Sequence, residues 1–572
     1  MNKHTFVCGI TGSGKTNTVK KILEETNKPF LVIEPAKKEY RNIKKEVNIY
    51  TLGRPEINCL KLNPFYILPG ISPQQHIDLL KDLFSASFAF YGPMPYILEK
   101  CLYNIYTKKG WNLTLGFHPY LINKKNQYDL FNESNIRESY SSIAHKYVFP
   151  TMQDLKNEVD YYIENEMTYE GEVKGNIRGA IKARIDSLCV GSKGYMFNTY
   201  DITDFDNLFM KNTVLELEGL ADDADKAFAL GLLIIYISEY RQINQEIDFK
   251  KGLKHLLVIE EAHRLLKNVS TENNEDLGNP KGKAVDHFTN MLAEMRSYGQ
   301  GVIVAEQIPC KLAPDVIKNS SNKIVHRIVA KDDQEAIANT IGINLDNAIY
   351  LGNSKVGYAL CHKEGMVNPV IVKIDEVESN NILDVNLYNK NINIKLADIS
   401  ISIIENQMKN DIEVWAVKTL VSMMYKPDNK KIFDGLEYAY NDISHELLLK
   451  SITMIPGIDK KECILNCISE NIITLLISGV FSNHKLPDDE LINLIKNTVS
   501  VPTEDKLKRI RIEFEKFYAK NPENKVIEII AGLISLEYSQ KQEIEELIKD
   551  FSLSNDLQLG KDVKIYLNKK VN

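Results

Sequence analysis

The sequence has few of the features that mark a secreted, membrane or metal-binding protein. None of its 572 residues belongs to an uncharged apolar segment of about 18 residues, the length that a membrane-spanning helix requires. Its eight cysteines include no CxxC pair, which argues against a structural zinc site or a disulfide framework. Cys463 and Cys467 lie four residues apart, and we expect them to be buried apolar thiols. These observations favour a reduced, cytoplasmic compartment and no membrane partner.

An excess of charge of one sign is also missing. The 70 Lys and Arg residues against 77 Asp and Glu residues give a net charge of -7, so composition points to neither nucleic acid nor a membrane surface. This argues only weakly against DNA, because a ring protein can confine its basic residues to the channel. Met1 to His4 lead directly into a predicted strand, so we expect no signal peptide.

Apolar runs that read as buried strands alternate with segments of helical periodicity. This pattern predicts an α/β fold with a mainly parallel sheet and crossover helices. The predicted strands are Thr5–Ile10, Phe30–Pro35, Asn48–Leu52, Thr213–Leu217, His255–Ile259, Gly301–Ala305, Lys323–Val329 and Val356–Leu360.

The composition changes along the chain and predicts four segments. They are the first part of an α/β core (1–70), a helical insertion (71–200), the second part of the core (201–375) and an α-helical C-terminal domain (376–572). The predicted helices of the insertion are Gln75–Ala89, Tyr96–Lys108, Asp154–Met167 and Asn176–Val190. Those of the C-terminal domain are Ile404–Tyr425, Lys431–Lys450, Asp488–Thr498, Glu504–Ala519 and Val526–Phe551. Since no chemical motif occurs after residue 375, we expect the last domain to serve assembly or partner contact.

The segment Gly9–Thr16 matches G-x-x-x-x-G-K-[ST] in full, between an apolar strand and an amphipathic helix. Its glycines let backbone N–H groups converge on phosphate oxygens, and the following helix points its positive end at the same anion. Lys15 is expected to reach the β- and γ-phosphates, and the Thr16 hydroxyl to coordinate Mg2+. A chance glycine turn is the alternative, and the strand–loop–helix context weakens it. The predicted residues for binding ATP are Gly9, Thr11, Gly12, Ser13, Gly14, Lys15, Thr16 and Asn17.

Two adjacent acids, Glu260 and Glu261, follow the apolar run His255–Ile259. Acids at the carboxyl end of a buried parallel strand lie beside the phosphate loop. Glu260 is predicted to hold Mg2+, directly or through water, and Glu261 to polarise the attacking water. Solvated acids at a strand end are the alternative for the pair alone. The helical insertion accounts for the long separation from Lys15.

Three further polar residues are candidates for the site. Gln307 follows a strand and is read with equal weight as a γ-phosphate sensor or as a satisfied strand end. Arg296 and Arg327 are candidates for an arginine finger towards a neighbouring subunit, although an ordinary salt bridge is the more frequent role of a single arginine. His263 is a candidate reporter of nucleotide state or a structural histidine. A basic cluster at 37–45 is read either as facing DNA phosphates or as a solvated face.

Several segments of the sequence resemble the HerA branch of the FtsK–HerA ATPases, which are DNA-translocating, helicase-like proteins. The resemblance covers roughly residues 4–375. It is carried by Gly9–Val19, Glu260–His263, Arg296–Gly299, Glu306–Pro309, Asn322–Arg327 and Lys331–Gln334. Leu31–Arg41, Leu62–Phe65 and Met94–Glu99 are also similar to the large bacterial HerA-type ATP-binding proteins.

The resemblance implies a RecA-like sheet, a homo-hexameric ring with ATP sites between subunits, and double-stranded DNA in the pore, often beside a nuclease or other effector. It also implies residue roles. The cis site comprises Lys15, Thr16, Glu260, Glu261 and Gln307, with Arg327 the first choice for the trans finger and Arg296 the second. HerA-type proteins usually carry an N-terminal barrel before the ATPase. Here the first strand begins near His4, so we expect the barrel to be absent, supplied by another chain, or part of a longer protein.

The function expected from these features is an ATP-dependent DNA translocase or helicase that works as an oligomeric ring in bacterial DNA processing or antiviral defence. Two alternatives stay open. One is a secretion- or conjugation-type ATPase that moves protein, and the other is a nucleotide-gated assembly scaffold. The intact Glu261 argues against the scaffold.

Overall fold

The structure, a computed structural model, describes residues 4–390 apart from 89, 91, 119–120, 122–142, 168–170, 245–251, 269–279 and 345–350. Beyond residue 390 it describes three helices and a few isolated positions. The predicted helices at 431–450 and 526–551, and most of the one at 404–425, lie outside the described residues.

The core is one nine-stranded sheet in the order β3-β4-β2-β5-β6-β1-β7-β8-β9. Its strands are β1 (Thr5–Cys8), β2 (Phe30–Glu34), β3 (Asn48–Thr51), β4 (Thr213–Glu216), β5 (His255–Glu260), β6 (Gln300–Glu306), β7 (Asn322–Val325), β8 (Tyr358–Lys363) and β9 (Val370–Lys373). The pairs from β3 to β7 are all parallel, whereas β8 and β9 add an antiparallel edge. The α/β fold with a mainly parallel sheet, predicted from the sequence, is confirmed.

The strand order decides which loops meet. Strand β6 lies between β1 and β5, with Val7 opposite Ala305 and Glu260 opposite Ala305 in the two registers. The carboxyl ends of β1, β6 and β5 are therefore neighbours along one edge of the sheet. Since these three strands precede the phosphate loop, Gln307 and Glu261, one edge collects all three candidate groups.

Fifteen α-helices are described besides the strands. In the first part they are α1 (Lys15–Glu25), α2 (Pro73–Ser87), α3 (Met94–Lys108), α4 (Met152–Asn165), α5 (Gly171–Cys189), α6 (Gly191–Phe197), α7 (Phe205–Phe209) and α8 (Asp223–Ile243). They continue with α9 (Pro280–Glu294), α10 (Pro314–Lys318), α11 (Lys331–Ile341), α12 (Asp384–Lys390), α13 (Lys460–Ser478), α14 (Asp489–Ser500) and α15 (Glu504–Lys520). The four helices predicted in the insertion are present as α2 to α5, each with bounds shifted by a few residues.

The chain divides into two compact units. One comprises residues 1–103 and 151–390, and the other comprises 104–150 and 391–572. The division into four segments made from the sequence stays a prediction. In the second unit Cys463 and Cys467 are buried in α13, as expected from their spacing, and all eight cysteines of the chain are free thiols. Among the described helices, none combines the length and the apolar character needed to cross a membrane.

Candidate active site

The phosphate loop leaves β1 and enters α1 through backbone that favours glycine. Gly9 has φ 151° and Gly14, the residue before α1, has φ 109°. A Cβ atom on Gly9 would lie 2.6 Å from Cβ of His326 and 2.7 Å from Oγ of Ser13. A larger residue at position 9 would therefore displace either the loop or the end of β7.

The donors of the loop converge on its interior. Helix α1 begins at Lys15 without a side-chain cap, which leaves the N–H groups of its first turn directed at the loop. Lys15 Nζ donates to the carbonyl oxygens of Gly9 at 2.7 Å and Ile10 at 3.3 Å, so the ammonium group lies against the loop backbone. Burial lowers the pKa of Lys15. A cationic side chain, a helix N-terminus and a glycine-lined backbone form a donor set that fits the phosphates of a nucleotide.

Side chains fix the loop and connect it to the next strand. Ser13 Oγ donates to the Ile10 carbonyl at 2.7 Å, which closes the turn from inside. Thr11 Oγ1 donates to Oε1 of Gln307 at 2.8 Å, so the residue after β6 touches the phosphate loop. This contact places Gln307 against the phosphate loop, and its role as a sensor of the γ-phosphate stays a prediction. The Asn17 side chain instead engages the backbone of Asp375 and Val377, both at 2.9 Å.

Glu260 ends β5, and a buried tyrosine holds its carboxylate. The Tyr40 hydroxyl donates to Oε1 of Glu260 at 2.6 Å. Burial raises the pKa of Glu260, although the hydrogen bond from Tyr40 and the charge of Lys15 act in the opposite direction. With Thr16 in the first turn of α1, Glu260 offers hard oxygen ligands of the kind that Mg2+ prefers. The residues present at these two positions fit a bound Mg2+.

Glu261 lies in an unusual backbone conformation. With φ 50° and ψ 46° it is the one non-glycine residue of positive φ in the described part of the chain. Such strain concentrates at functional positions. Arg264 donates from Nε at 2.9 Å and from Nη2 at 2.6 Å to Oε2 of Glu261. Glu261 was predicted from the sequence and Arg264 was not, although a basic residue three positions after the acid pair was a visible signal.

A buried acid, Glu306, connects the turns after β5 and β6. Its carboxylate accepts the backbone N–H of Gln307 at 2.8 Å, and Oε2 lies 2.9 Å from Nδ1 of His263. The backbone N–H of His263 donates to the same carboxylate at 3.3 Å. His263 thus bridges the acid-pair turn to the strand that carries Gln307. This contact is a structural role for His263 within the site.

Glutamates end four of the parallel strands at this edge. They are Glu34, Glu216, Glu260 and Glu306. Burial raises the pKa of Glu34 to about 9, so it is protonated at neutral pH. Glu216 is buried and receives the Arg41 guanidinium. The repeated ending was visible in the sequence as an acid after each apolar run, but the strand order was needed to bring these residues together.

His326 supports the phosphate loop, although it was not predicted from the sequence as a site residue. It follows β7, is fully buried, and its Nε2 lies 2.8 Å from the Thr18 hydroxyl of α1. Burial lowers its pKa to about 4, and the charge of Lys15 acts in the same direction. The ring is therefore neutral where it packs beneath the loop.

The two candidate arginines lie at different edges of the sheet. The Arg327 carbonyl accepts the Ile10 N–H at 2.9 Å, so its backbone contacts the phosphate loop. Its buried Nε has no hydrogen-bond partner among the described residues. Arg296 precedes β6, at the amino edge beside His4. Their roles towards a neighbouring subunit stay predictions.

The basic cluster at 37–45 is largely paired within the chain. Its ion pairs are Lys37 with Glu39, Lys38 with Glu218 and Asp384, Arg41 with Glu216 and Asp384, and Lys44 with Glu378. These ion pairs argue against a surface for DNA phosphates, and Arg41 is buried and so does not belong to a solvated face.

Known proteins are similar to parts of this chain. The family model "Helicase HerA, central domain" matches residues 1–230. The DNA double-strand break repair helicase HerA of Sulfolobus acidocaldarius is 27% identical over 269 residues, covering 42% of this chain and 51% of that protein. The protein of the same name from Sulfurisphaera tokodaii is 24% identical over 386 residues, covering 66% of each chain. The chain spans about half to two thirds of the length of the curated relatives that it matches.

Solved structures are also similar, and VirB4 is one of them. VirB4 of Thermoanaerobacter pseudethanolicus aligns with 65% of this chain and 90% of its own, with a TM-score of 0.46 and 17% identity.

Proposed function

We propose that the chain is a HerA-type P-loop ATPase of the FtsK–HerA superfamily, which binds ATP with Mg2+ at Gly9–Thr16 and hydrolyses it. The observation that carries the proposal is the meeting of three elements at one edge of the sheet. The phosphate loop follows β1, Gln307 follows β6 and touches the loop, and the acid pair lies at the carboxyl end of β5.

The residues divide the chemistry among them. Lys15 and the N–H groups of the first turn of α1 bind the phosphates and stabilise negative charge that develops during transfer. Thr16 and Glu260 would hold Mg2+, which supplies further neutralisation of phosphate charge when bound. Glu261 accepts a hydrogen bond from the attacking water and polarises it. Gln307, held by Thr11, orients the γ-phosphate or the water.

We extend the proposal to an ATP-driven DNA translocase or helicase that works as a homo-oligomeric ring, with a hexamer as the expected size. The names of the curated relatives support DNA as the substrate, since each is called a DNA double-strand break repair helicase. An arginine that completes the site from a neighbouring subunit is part of this proposal, with Arg327 first and Arg296 second. Eight free thiols support a cytoplasmic location. A nuclease or other effector as partner rests on the family resemblance alone.

The test is steady-state ATP hydrolysis with and without linear duplex DNA, for the wild type and Glu261→Gln. We expect duplex DNA to increase kcat severalfold in the wild type and Glu261→Gln to lower it by about 100-fold or more. An ATP hydrolysis rate that does not change when DNA is added would contradict the proposed DNA translocase. It would favour an ATPase that moves protein. Undiminished function of Glu261→Gln in a biological assay would favour the assembly scaffold.

A further inference from the structure

Arg264 contacts the predicted water-polarising residue with two donors aimed at one oxygen. It closes the short turn Ala262–Arg264 that follows the acid pair. Nε and Nη2 donate to Oε2 of Glu261 at 2.9 and 2.6 Å. Oε1 of Glu261 receives no hydrogen bond from the described residues. The carboxylate is thus held at one oxygen, and its other oxygen is available as an acceptor.

A second contact anchors the guanidinium from the opposite side. Nη1 of Arg264 donates to Asp223, the first residue of α8. The Arg264 and Glu261 side chains are 15% and 17% exposed, whereas Asp223 is 79% exposed. The inner pair is therefore shielded from water, where a charge-assisted bond is strong, and the outer pair is solvated and weak.

The backbone restricts the same residue. Glu261 is fixed in the left-handed region, and its N–H donates to the Ala305 carbonyl of β6 at 2.9 Å. The direction of its Cα–Cβ bond is therefore set by the turn and by β6. The backbone does not set the side-chain torsions of Glu261. The contact with the planar guanidinium of Arg264 restricts them.

From this geometry we propose that Arg264 is a positioning residue for hydrolysis: it holds Oε2 of Glu261 so that Oε1 is presented to the attacking water. The inference rests on the proposed role of Glu261. The further claim is that kcat depends on the orientation of the Glu261 carboxylate as well as on its charge. Asp223 contributes less, because its contact with Arg264 is exposed.

The test compares kcat and KM for ATP in Arg264→Gln, Arg264→Lys and Asp223→Asn. We expect Arg264→Gln to lower kcat by roughly 10- to 100-fold, since misplacing a catalytic group by about 1 Å has effects of this size. KM should stay within about twofold, because the phosphate-binding contacts are untouched. Arg264→Lys keeps the charge but not the fork, so it should restore little activity. Asp223→Asn should stay within about threefold of the wild type.

Arg178→Gln is the control, because Arg178 also pairs with a glutamate, Glu164, and their helices α5 and α4 supply none of the candidate site residues. Full activity of Arg264→Gln would overturn the proposal. An increase in its kcat would also overturn it, because the ion pair would then inhibit Glu261 and not position it. Full recovery in Arg264→Lys would also overturn it, since charge alone would suffice. An active Glu261→Gln or an inactive wild type would instead contradict the proposed function. Unfolding curves of each variant identify a loss of activity caused by misfolding.

Discussion

Glu34 is a buried acid that the fold keeps protonated. Its Oε1 and Oε2 accept the backbone N–H groups of Glu39 at 2.9 Å and Tyr40 at 3.4 Å. Burial raises its pKa from 4.5 to about 9, and the nearby charges of Glu260 and Glu216 act in the same direction. The folded state therefore holds a proton that the unfolded chain releases above pH 4.5. The resulting stability is present below pH 4.5 and is lost as pH rises towards 9.

We expect Glu34→Gln to stabilise the protein at pH 8 and to have little effect at pH 5. Glutamine keeps the acceptor for the Glu39 N–H and cannot ionise. With about 1.4 kcal/mol per pKa unit, the gain at pH 8 is at most about 5 kcal/mol. Urea unfolding at both pH values measures it, with the more exposed Glu39→Gln as the control. Equal effects at pH 5 and pH 8 would contradict this assignment of the buried proton.

His326 weakens the folded state at the acidic end of the pH range. Its pKa falls from 6.5 to about 4 on folding, so its contribution to stability is complete above pH 6.5 and decreases as pH falls towards 4. We expect His326→Gln, which can still reach the Thr18 hydroxyl, to lose less stability than the wild type between pH 6.5 and pH 4. The difference between their two unfolding profiles isolates His326 from the other histidines. Parallel profiles would show that this ring does not titrate on unfolding.

Residues of the phosphate loop were predictable because spacing alone defines them. Lys15 and Thr16 belong to one short motif, and the acid pair follows one apolar run. Tyr40, Glu306 and His326 were not predictable in the same way. Each reaches the site from a different strand end, and only the strand order brings those ends together. The Thr11–Gln307 contact is intermediate, since Gln307 was named but its partner was not.

At the scale of elements, the segment after β9 runs across the phosphate-loop helix. The N–H of Ile374 donates to the Gly357 carbonyl, and Val377 and Asp375 engage the Asn17 side chain. Further along, Asn42 receives the N–H groups of Asn380 and Ile382, and Asp384 pairs with Lys38 and Arg41. We call residues 374–384 the strap. It ties the end of the sheet to α1 and to the turn after β2.

We expect Asn17→Ala to release the strap near α1 and to destabilise the protein by about 1–2 kcal/mol, since two hydrogen bonds are lost. Hydrogen exchange of the Val377 amide should become faster, while that of Ile382 stays slow because Asn42 still holds it. Asn42→Ala is the matched variant and should show the reverse pattern. Unchanged exchange at Val377 in Asn17→Ala would contradict this description of the strap.

Two elements that were not predicted from the sequence lack the alternation of buried and exposed residues on which such a prediction depends. Helix α8 is buried on nearly every side, so its apolar residues form a continuous run without helical periodicity. Strand β9 has four exposed residues and therefore shows no alternation of buried and exposed positions. The inner strands were predictable because both of their faces are covered, which requires unbroken apolar runs.

At the scale of the whole molecule, the proposed ring requires that a neighbour completes each site. If Arg327 acts in trans, Arg327→Ala has an intact phosphate loop and Lys15→Ala has an intact finger. We expect both variants alone to be inactive and an equal mixture to recover about a quarter of wild-type activity, as random neighbours in a closed ring dictate. The same mixing with Arg296→Ala tests the second candidate. A mixture as inactive as its components would exclude the tested arginine as a trans finger.

The most direct test of the central claim is ATP binding and hydrolysis by Lys15→Ala beside Lys21→Ala. Both lysines belong to α1, but Lys21 faces outward in an ion pair with Glu25. We expect Lys15→Ala to lose hydrolysis and to bind ATP at least about tenfold more weakly, while Lys21→Ala behaves as the wild type. Wild-type hydrolysis by Lys15→Ala would contradict the placement of the ATP site at Gly9–Thr16.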